Sequence, residues 1–342
     1  MTALVRPGLS KILMTTLAVI AVVGALFAGC AQIQDRWFPA PTVPAEWNAL
    51  LSEIRAFERR LGFRETKNFK QVYAEKSGYT ICGYAPRLRL PHSYEDPLIR
   101  WSDVTHEPGC RDGAGDNDFY FAQIEAVGEI GVGLTPGMLA GKLERFLYLV
   151  IHEDCHDQFD FPYGFEEALC NLIGYKGMAV FAMQQYGAHS REGRAVRGYV
   201  ETQAHLTRAV VSHYGDVARL YERHARGEIT AEGAMNARVR LLTGAERTLG
   251  WQKNTMNNVG LANEMTYSRH YPMLDDVFEA LGGDLEKVMA FFARVDRAKP
   301  AREALLKRLG ISDDKSVQAV MALEASAEQE VTRQLRLSGL RR

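Results

Sequence analysis

Net charge, long hydrophobic runs and cysteine are all scarce in this chain. Its 342 residues include 41 basic and 42 acidic side chains, for a formal net charge of −1. A nearly neutral chain lacks the basic excess that binding to a phosphate backbone requires, so nucleic acid is not an expected partner. The sequence also contains no internal repeat and no glycine-rich phosphate loop. Repeat architectures and phosphate-loop nucleotide chemistry are therefore not expected.

The one long apolar run lies at the N-terminus. Arg6 and Lys11 precede the uncharged stretch Ile12–Ala28, and the sequence Leu-Phe-Ala-Gly-Cys then ends at Cys30. This order is typical of a lipoprotein signal peptide, so residues 1–29 are expected to be removed and Cys30 to be lipidated. No aspartate follows the cysteine, which favours the periplasmic face of the outer membrane of a bacterial cell envelope. An uncleaved membrane anchor is the alternative, because the run is just long enough to span a bilayer.

Four of the five cysteines remain for the folded part once Cys30 is lipidated. An even number is compatible with disulfides in an oxidising compartment. Cys82 and Cys110 are the first expected pair, because both lie in the N-terminal part of the chain. Cys155 is expected to be either a buried thiol or the partner of Cys170.

The rest of the chain divides into segments with different patterns. Residues 30–47 contain three prolines and predict a stiff tether. Residues 48–134 combine helical and strand-like patterns in an α+β subdomain, residues 135–300 are helical by period, and residues 301–342 form a charged helical tail. The fold class is therefore α+β, predominantly α, with a small N-terminal antiparallel sheet followed by a helical lobe. The strand-like runs are Lys70–Tyr73, Tyr79–Tyr84 and Phe119–Val132.

A candidate metal motif lies near the middle of the chain, at His152, Glu153 and His156. Two histidines four residues apart on a helix project from one face and can hold one zinc ion, while the glutamate between them can reach a water on the metal. The surroundings favour a helix here. Thr135, followed by proline, predicts a helix start, and apolar residues recur at helical spacing over 139–150.

The third ligand is expected from a second helix that begins soon after the histidines. Glu167 is the preferred candidate, because it shares a helix face with Asn171, whose amide could hydrogen-bond a metal ligand. Glu166 points about 100° away and is expected to be solvated or to interact with the helix dipole. Asp157 and Asp160 are rivals, but each would need a tight loop to return to the metal.

This residue set is suited to amide hydrolysis. Zinc with three protein ligands keeps one position for water and lowers the pKa of that water. Glu153 can then accept the proton of the water and pass it to the leaving amine.

The motifs resemble those of a known family. The segment Leu149–Gly174, with His-Glu-x-x-His followed by Phe-x-Glu-Ala, resembles the aminopeptidase family of bacterial zinc lipoproteins, in the gluzincin group. A second signature is Met256–Ala262, with an Asn-Asn pair and a leucine, followed by Tyr267 and Tyr271. The resemblance covers most of residues 50–296. It implies a zincin-like fold with the zinc site between the sheet and the helical lobe, and a metallopeptidase with Zn²⁺ as its cofactor.

The same resemblance suggests further site residues. Tyr267 or Tyr271 is the candidate donor to the oxyanion, with His270 a lesser candidate. Asn257 and Asn258 would shape the cleft. The alternative is that both tyrosines are ordinary packing or surface residues.

These features together predict a zinc-dependent peptidase of the cell envelope, an aminopeptidase by resemblance, that acts on peptide substrates and is held to the membrane through Cys30. The run Ile124–Val132 could pair with an extended substrate if it forms a sheet edge. Glu125 or Glu129 could hold the α-ammonium group of a substrate. The alternative is a non-catalytic envelope scaffold that retains the zinc site or a vestige of it.

Overall fold

The computed structural model describes residues 43–72, 79–124 and 131–340. The expected signal peptide, the lipidation site Cys30, most of the tether, and Glu125 and Glu129 lie outside these ranges. Within the ranges, no helix combines the length and the hydrophobicity needed to cross a bilayer.

The described residues are mostly helical, with one antiparallel sheet of three strands, which confirms the predicted α+β class with a predominance of helix. The strands are β1 (Tyr79–Pro86), β2 (Arg100–Ser102) and β3 (Asn117–Ile124). The helices are α1 (Ala45–Leu61), α2 (Glu107–Asp112), α3 (Pro136–Ala140), α4 (Leu143–His156), α5 (Tyr163–Tyr186), α6 (Arg191–Ala225), α7 (Ala231–Leu249), α8 (Asn258–Ser268), α9 (Tyr271–Ala280), α10 (Leu285–Ala298), α11 (Arg302–Leu309) and α12 (Val317–Leu337).

β1 is the central strand of the sheet, and both of its neighbours run antiparallel to it. Cys82 of β1 lies opposite Ser102 of β2 on one side and Phe121 of β3 on the other. Within the described part of the chain, β3 pairs with β1 and is an edge strand of the sheet. The sheet packs against α8, where Ala85 joins Val259 in a small apolar cluster.

Two of the predicted strands need correction. The run that starts at Phe119 is a strand only as far as Ile124, since 125–130 lie outside the described residues and 131–133 are not in a strand. The run Lys70–Tyr73 is not a strand over its described residues, where Val72 makes only an isolated bridge to Leu134. Phe69, directly before this run, has a φ of 54°, a left-handed conformation that interrupts an extended chain.

The helix predicted from Thr135 onward is interrupted. Thr135 caps α3 through a hydrogen bond from the Met138 amide, but α3 ends at Ala140 and α4 begins only at Leu143. Between them Gly141 has an extended backbone, with a ψ of 177°. Glycine has a low helix propensity, so the break falls where helix formation is weakest.

The main apolar core surrounds α4 and α5. Every residue of α4 from Phe146 to Cys155 is buried. The Cys155–Cys170 disulfide joins α4 to α5, and the Cys82–Cys110 disulfide joins β1 to α2. The structure thus confirms the first expected pair and selects the disulfide over the free thiol for Cys155.

The C-terminal segment packs onto the same core. Ala327 and Val331 of α12 belong to the apolar cluster that includes α4 and α5. Glu324 of α12 is buried, and its Oε2 lies 2.8 Å from His92 Nε2 and 3.5 Å from His270 Nε2. These contacts tie α12 to the loop after β1 and to the residue that precedes α9.

Candidate metal centre

His152 and His156 lie one turn apart at the C-terminal end of α4, which ends at His156. Their Nε2 atoms are 3.3 Å apart, so both rings turn the same nitrogen toward one point. The two rings lie side by side because residues four apart share one face of a helix. The opposite face of α4 packs into the apolar core, which fixes the direction in which the rings point.

Glu167, in the second turn of α5, completes the cluster. Its Oε2 is buried and faces only the two imidazoles, at 3.2 Å from His152 Nε2 and 3.4 Å from His156 Nε2. Zinc bonds of about 2.0–2.2 Å in a tetrahedral arrangement separate the ligand atoms by about 3.3–3.5 Å. The three atoms therefore have the chemistry and the spacing of a two-histidine, one-carboxylate zinc site, and they form the one such cluster found in the described residues.

The charges at the cluster are strongly coupled. Burial alone would raise the pKa of Glu167, but the two imidazoles outweigh it and hold that pKa well below its usual range. Burial opposes the charging of His156 as well, yet the carboxylates of Glu167 and Glu166 raise its pKa to about 11. Without a metal, the positive charge of protonated His156 therefore balances the negative charge of the buried Glu167 carboxylate. A divalent cation bound at the cluster would balance the same charge.

A relay of hydrogen bonds holds the ring of His152. Its Nδ1 lies 3.4 Å from the hydroxyl of Tyr148, which donates to Asn171 Oδ1. The Asn171 amide in turn donates to the backbone carbonyl of Tyr267 at 3.0 Å. With Nδ1–H donating to the tyrosine oxygen, the lone pair of His152 is left on Nε2, the atom that faces the cluster. Asn171 therefore reaches its ligand through Tyr148, which the sequence reasoning did not single out.

Glu166 holds the ring of His156. It lies in the first turn of α5, where its charge can interact with the helix dipole as predicted, but the alternative prediction that it would be solvated is wrong. Its Oε1 lies 3.0 Å from His156 Nδ1, and its Oε2 accepts a hydrogen bond from the Phe161 amide at 2.8 Å. A carboxylate behind a metal-binding imidazole fixes the tautomer and raises the basicity of the ligand nitrogen. The rivals do not join the cluster: Asp160 is fully exposed, and Asp157 caps the end of α4.

Glu153 is buried beside the cluster, with 6 % of its surface exposed. Burial raises the pKa of its carboxyl to about 8, while the charge of His156 lowers it and that of Glu167 raises it further. Its charge thus interacts with those of two of the three candidate ligands. This is the neighbourhood that a general base for a bound water requires.

Two tyrosines lie next to the candidate ligands. The Tyr267 ring lies 6.4 Å from the His152 ring, measured between centroids. Burial, and after it the neighbouring Glu167 and Tyr267, raise the pKa of the Tyr163 hydroxyl, so Tyr163 lies beside both residues. Tyr163 was missed by the sequence reasoning, although its place four residues before Glu167 on α5 puts both on one helix face.

Other predicted residues are placed elsewhere. Tyr271 is fully buried in the helical core, where its ring packs against the ring of Tyr175. The guanidinium group of Arg208 lies over the Tyr271 ring, 5.8 Å from its centre. His270 pairs with Glu324 and Glu328 of α12. The structure brings neither Tyr271 nor His270 to the cluster, because α8 ends at Ser268 and the chain turns before α9 begins.

Asn257 and Asn258 fix α8 against the sheet. Asn257 caps the helix by accepting from the amides of Val259 and Gly260, and its amide donates to the carbonyl of Phe119. Asn258 is fully buried, and its amide donates to three carbonyls in the stretch 86–89. They position the helix that carries Tyr267 and so influence the site from a distance.

No family model, curated protein or solved structure matches the chain. The geometry of this cluster and the residues that carry the family resemblance are the observations that bear on function. Both point to the same three ligands and the same glutamate.

Proposed function

We propose that this chain is a zinc-dependent peptidase with a zincin-like site, and an aminopeptidase by its resemblance. One observation carries the proposal. The two histidine nitrogens and the Glu167 oxygen converge at 3.2–3.4 Å from one another, with Glu153 buried beside them. The alternative, a scaffold with a vestigial site, needs no such base and no such set of ring-orienting contacts.

The chemistry divides between the metal and the protein. Zinc, when bound by His152, His156 and Glu167, would acidify a water and polarise the substrate carbonyl. Glu153 would accept a proton from the attacking water as the water oxygen bonds to the carbonyl carbon, and would give it to the amine nitrogen as the C–N bond breaks. The hydroxyls of Tyr163, beside Glu167, and of Tyr267, whose ring lies near His152, are the candidate donors to the oxygen that becomes negative.

The sheet offers a way to hold the substrate. β3 is an edge strand in the described part of the chain, and Tyr120 of β3 packs against α8, the helix that carries Tyr267. An extended peptide that paired with this strand would have its backbone hydrogen-bonded and would lie near α8, the helix that carries Tyr267. The substrate class is therefore a peptide in extended conformation.

The proposed location is the bacterial cell envelope, with lipid on Cys30 as the anchor and the periplasmic face of the outer membrane as the preferred site. Two disulfides in the folded part are consistent with an oxidising compartment. Lipidation of Cys30 rests on the sequence pattern described above.

Glu153→Gln tests the function directly. The variant should keep about one zinc per chain, because Glu153 is not a ligand, and should lose peptide cleavage by about 10²–10⁴-fold. Metal content is measured by elemental analysis and cleavage by mass spectrometry of a digested peptide library. Glu144→Gln, in the first turn of the same helix, is the matched control and should retain both properties. Wild-type protein that binds zinc yet cleaves nothing would favour the scaffold.

A further inference from the structure

His270 contacts two carboxylates of the C-terminal helix through its two ring nitrogens. Its Nδ1 lies 2.9 Å from Glu328 Oε1, and its Nε2 lies 3.5 Å from Glu324 Oε2. His270 and Glu324 are both buried, whereas the Glu328 side chain is 44 % exposed. His270 lies between α8 and α9, so one ring joins the turn between these helices to α12.

Both contacts are favourable only while the His270 ring is charged. A neutral imidazole has one N–H and one lone pair, so a proton on one nitrogen leaves the lone pair of the other facing a carboxylate. His270 Nε2 and Glu324 Oε1 also have no hydrogen-bond partner among the described residues. The Nε2–Oε2 contact of 3.5 Å is therefore an ion pair, and it needs the charge of the imidazolium.

Charged and titratable groups from several elements surround these contacts. They are, in chain order, His92, Asp96, Tyr214, Arg269, Glu324 and Glu328. They belong to the loop after β1, to α6, to the turn between α8 and α9, and to α12. The first turn of α5 instead presents the Phe165 ring, with its centre 5.3 Å from that of the His270 ring. The ring of His270 therefore meets carboxylates on the α12 side and an apolar surface on the α5 side.

The two carboxylates determine how the His270 ring titrates. Burial opposes its charging, but Glu324 and Glu328 raise its pKa above the ordinary value of 6.5. Burial also opposes the charging of Glu324, yet His270 and His92 lower the pKa of that carboxyl to about 2. As the pH rises through the raised pKa of His270, the ring loses its charge while Glu324 stays ionised. The contact is therefore fully favourable between about pH 4.5 and pH 6.5 and weakens at higher pH.

The contact lies where α12 packs on the helix that carries Glu167. Glu324 Oε1 occupies the space beside Gly164, in the first turn of α5, where an added Cβ would approach it to 2.5 Å. Further along α12, Ala327 and Val331 belong to the main apolar core. Apolar packing and the charge on His270 thus act on the same helix, and only the charge depends on pH.

We propose that His270 is a proton-operated latch for the C-terminal helix. In its charged form the ring holds α12, through Glu324 and Glu328, against the α8–α9 turn and the first turn of α5. Loss of the proton at higher pH weakens both contacts, and α12 opens from the core more often. None of the latch residues is a candidate metal ligand, so the latch goes beyond the proposed peptidase function and does not depend on it.

Hydrogen exchange measures the opening of α12 directly. The full chain in detergent is compared at pH 6 and pH 9 by mass spectrometry, with rates corrected for the intrinsic pH dependence of amide exchange. Peptides from α7 serve as the internal reference. In the wild type, the protection of peptides from α12 relative to α7 should fall by about tenfold between the two pH values, because two charge-assisted contacts are lost.

Three variants assign the change to the bridge. His270→Gln cannot take up a proton, so its relative protection should be about equal at the two pH values. Glu328→Gln leaves the ring with Glu324 as its remaining carboxylate contact, and should reduce the change to about threefold or less. His205→Gln, at an exposed histidine of α6, is the matched control and should retain the full change.

Two results would overturn the latch. One is a wild-type protection ratio that is the same at both pH values. The other is a change that survives His270→Gln, since it would assign the pH dependence to another group. If His270→Gln leaves α12 unprotected at both pH values, Glu328→Gln decides instead. A reduced change in that variant supports the bridge, and an undiminished change contradicts it.

Discussion

The ring of His152 depends on Tyr148, a residue that no metal-binding motif contains. Tyr148 lies one turn before His152 on α4, so the helix itself sets their spacing. Its hydroxyl lies 3.4 Å from His152 Nδ1 and donates a hydrogen bond to Asn171 Oδ1 on the neighbouring helix. Tyr148 thereby links the face of α4 that carries the candidate metal ligands to α5 through a single hydroxyl.

Tyr148→Phe should weaken zinc binding by about tenfold or more, because Nδ1–H of His152 would lose its acceptor in a buried site. Zinc affinity is measured by competition with a chromophoric chelator. Tyr199→Phe is the control, since Tyr199 packs beside Tyr148 with ring centroids 6.3 Å apart and its hydroxyl contacts Arg145. Equal zinc affinities in the two variants would remove the orienting role of Tyr148.

The raised pKa of Glu264 predicts that the stability of the protein depends on pH. The folded-state pKa of about 7 lies above the ordinary value of 4.5, so between these pH values the folded chain binds the extra proton. Stability therefore falls as pH rises through this window, and the cost is fully present above about pH 7. The free energy of unfolding of Glu264→Gln, relative to that of the wild type, should therefore be higher at pH 8 than at pH 5 by about 1–2 kcal/mol. Partial exposure of the carboxylate keeps the effect this small.

Urea unfolding of both proteins at pH 5 and at pH 8 provides the measurement. Glu232→Gln should show the same difference from the wild type at both pH values, because its carboxylate is exposed. A difference for Glu264→Gln that does not change with pH would show that the carboxyl has an ordinary environment.

At the level of elements, the site is a contact between two helices from one stretch of chain. α4 supplies both imidazoles and Glu153, while α5 supplies Glu167 and Glu166. The Cys155–Cys170 disulfide crosses the same contact, and its first cysteine directly precedes His156. The covalent link and the metal would therefore restrain the same pair of helices.

Removal of this disulfide, by Cys155→Ala with Cys170→Ala, should lower both stability and zinc affinity. The bond spans 15 residues of sequence, a loop for which the loss is about 3 kcal/mol. Cys82→Ala with Cys110→Ala is the matched control, because it opens a 28-residue separation between β1 and α2. That pair should lose stability but keep its zinc affinity, and an equal loss of zinc affinity in both would contradict a specific role for the α4–α5 link.

Across the whole molecule, long-range contacts join the sheet and the C-terminal helix to the site. Arg238 of α7 pairs with Asp118 of β3, whose carboxylate also accepts from the Asn258 amide that begins α8. Glu324 of α12 pairs with His92 and His270, and its Oε1 borders Gly164 at the start of α5. The site therefore depends on residues distributed over the described chain.

The attachment of the whole protein to the membrane is predicted to depend on Cys30. Cys30→Ser should release the protein from membranes or leave an unprocessed precursor, because lipidation needs the thiol and acyl chains supply the anchoring. Fractionation of cells, with mass measurement of the N-terminus, distinguishes these forms. Normal processing together with normal membrane retention would exclude the lipid anchor.

Local patterns in the sequence were enough to predict how the candidate metal ligands are placed on their helices. The four-residue spacing of His152 and His156 and the early position of Glu167 on a second helix follow from helix geometry, which is set by neighbours along the chain. The α+β class follows in the same way from hydrophobic periodicity. The break at Gly141 and the absence of a strand at Lys70–Tyr73 were missed, because short apolar runs do not reveal where the backbone turns.

Side-chain direction and distant contacts came only from the three-dimensional packing. Glu166 behind His156, Tyr163 against Glu167, and Tyr271 in the core rather than at the site all depend on how α4, α5, α8 and α9 meet. These helix–helix contacts bring together residues that are up to about a hundred positions apart in the sequence, as in the hydrogen bond from Asn171 to the Tyr267 carbonyl. Their geometry is set by the burial of apolar surface over many elements at once, a global balance that no short stretch of sequence encodes.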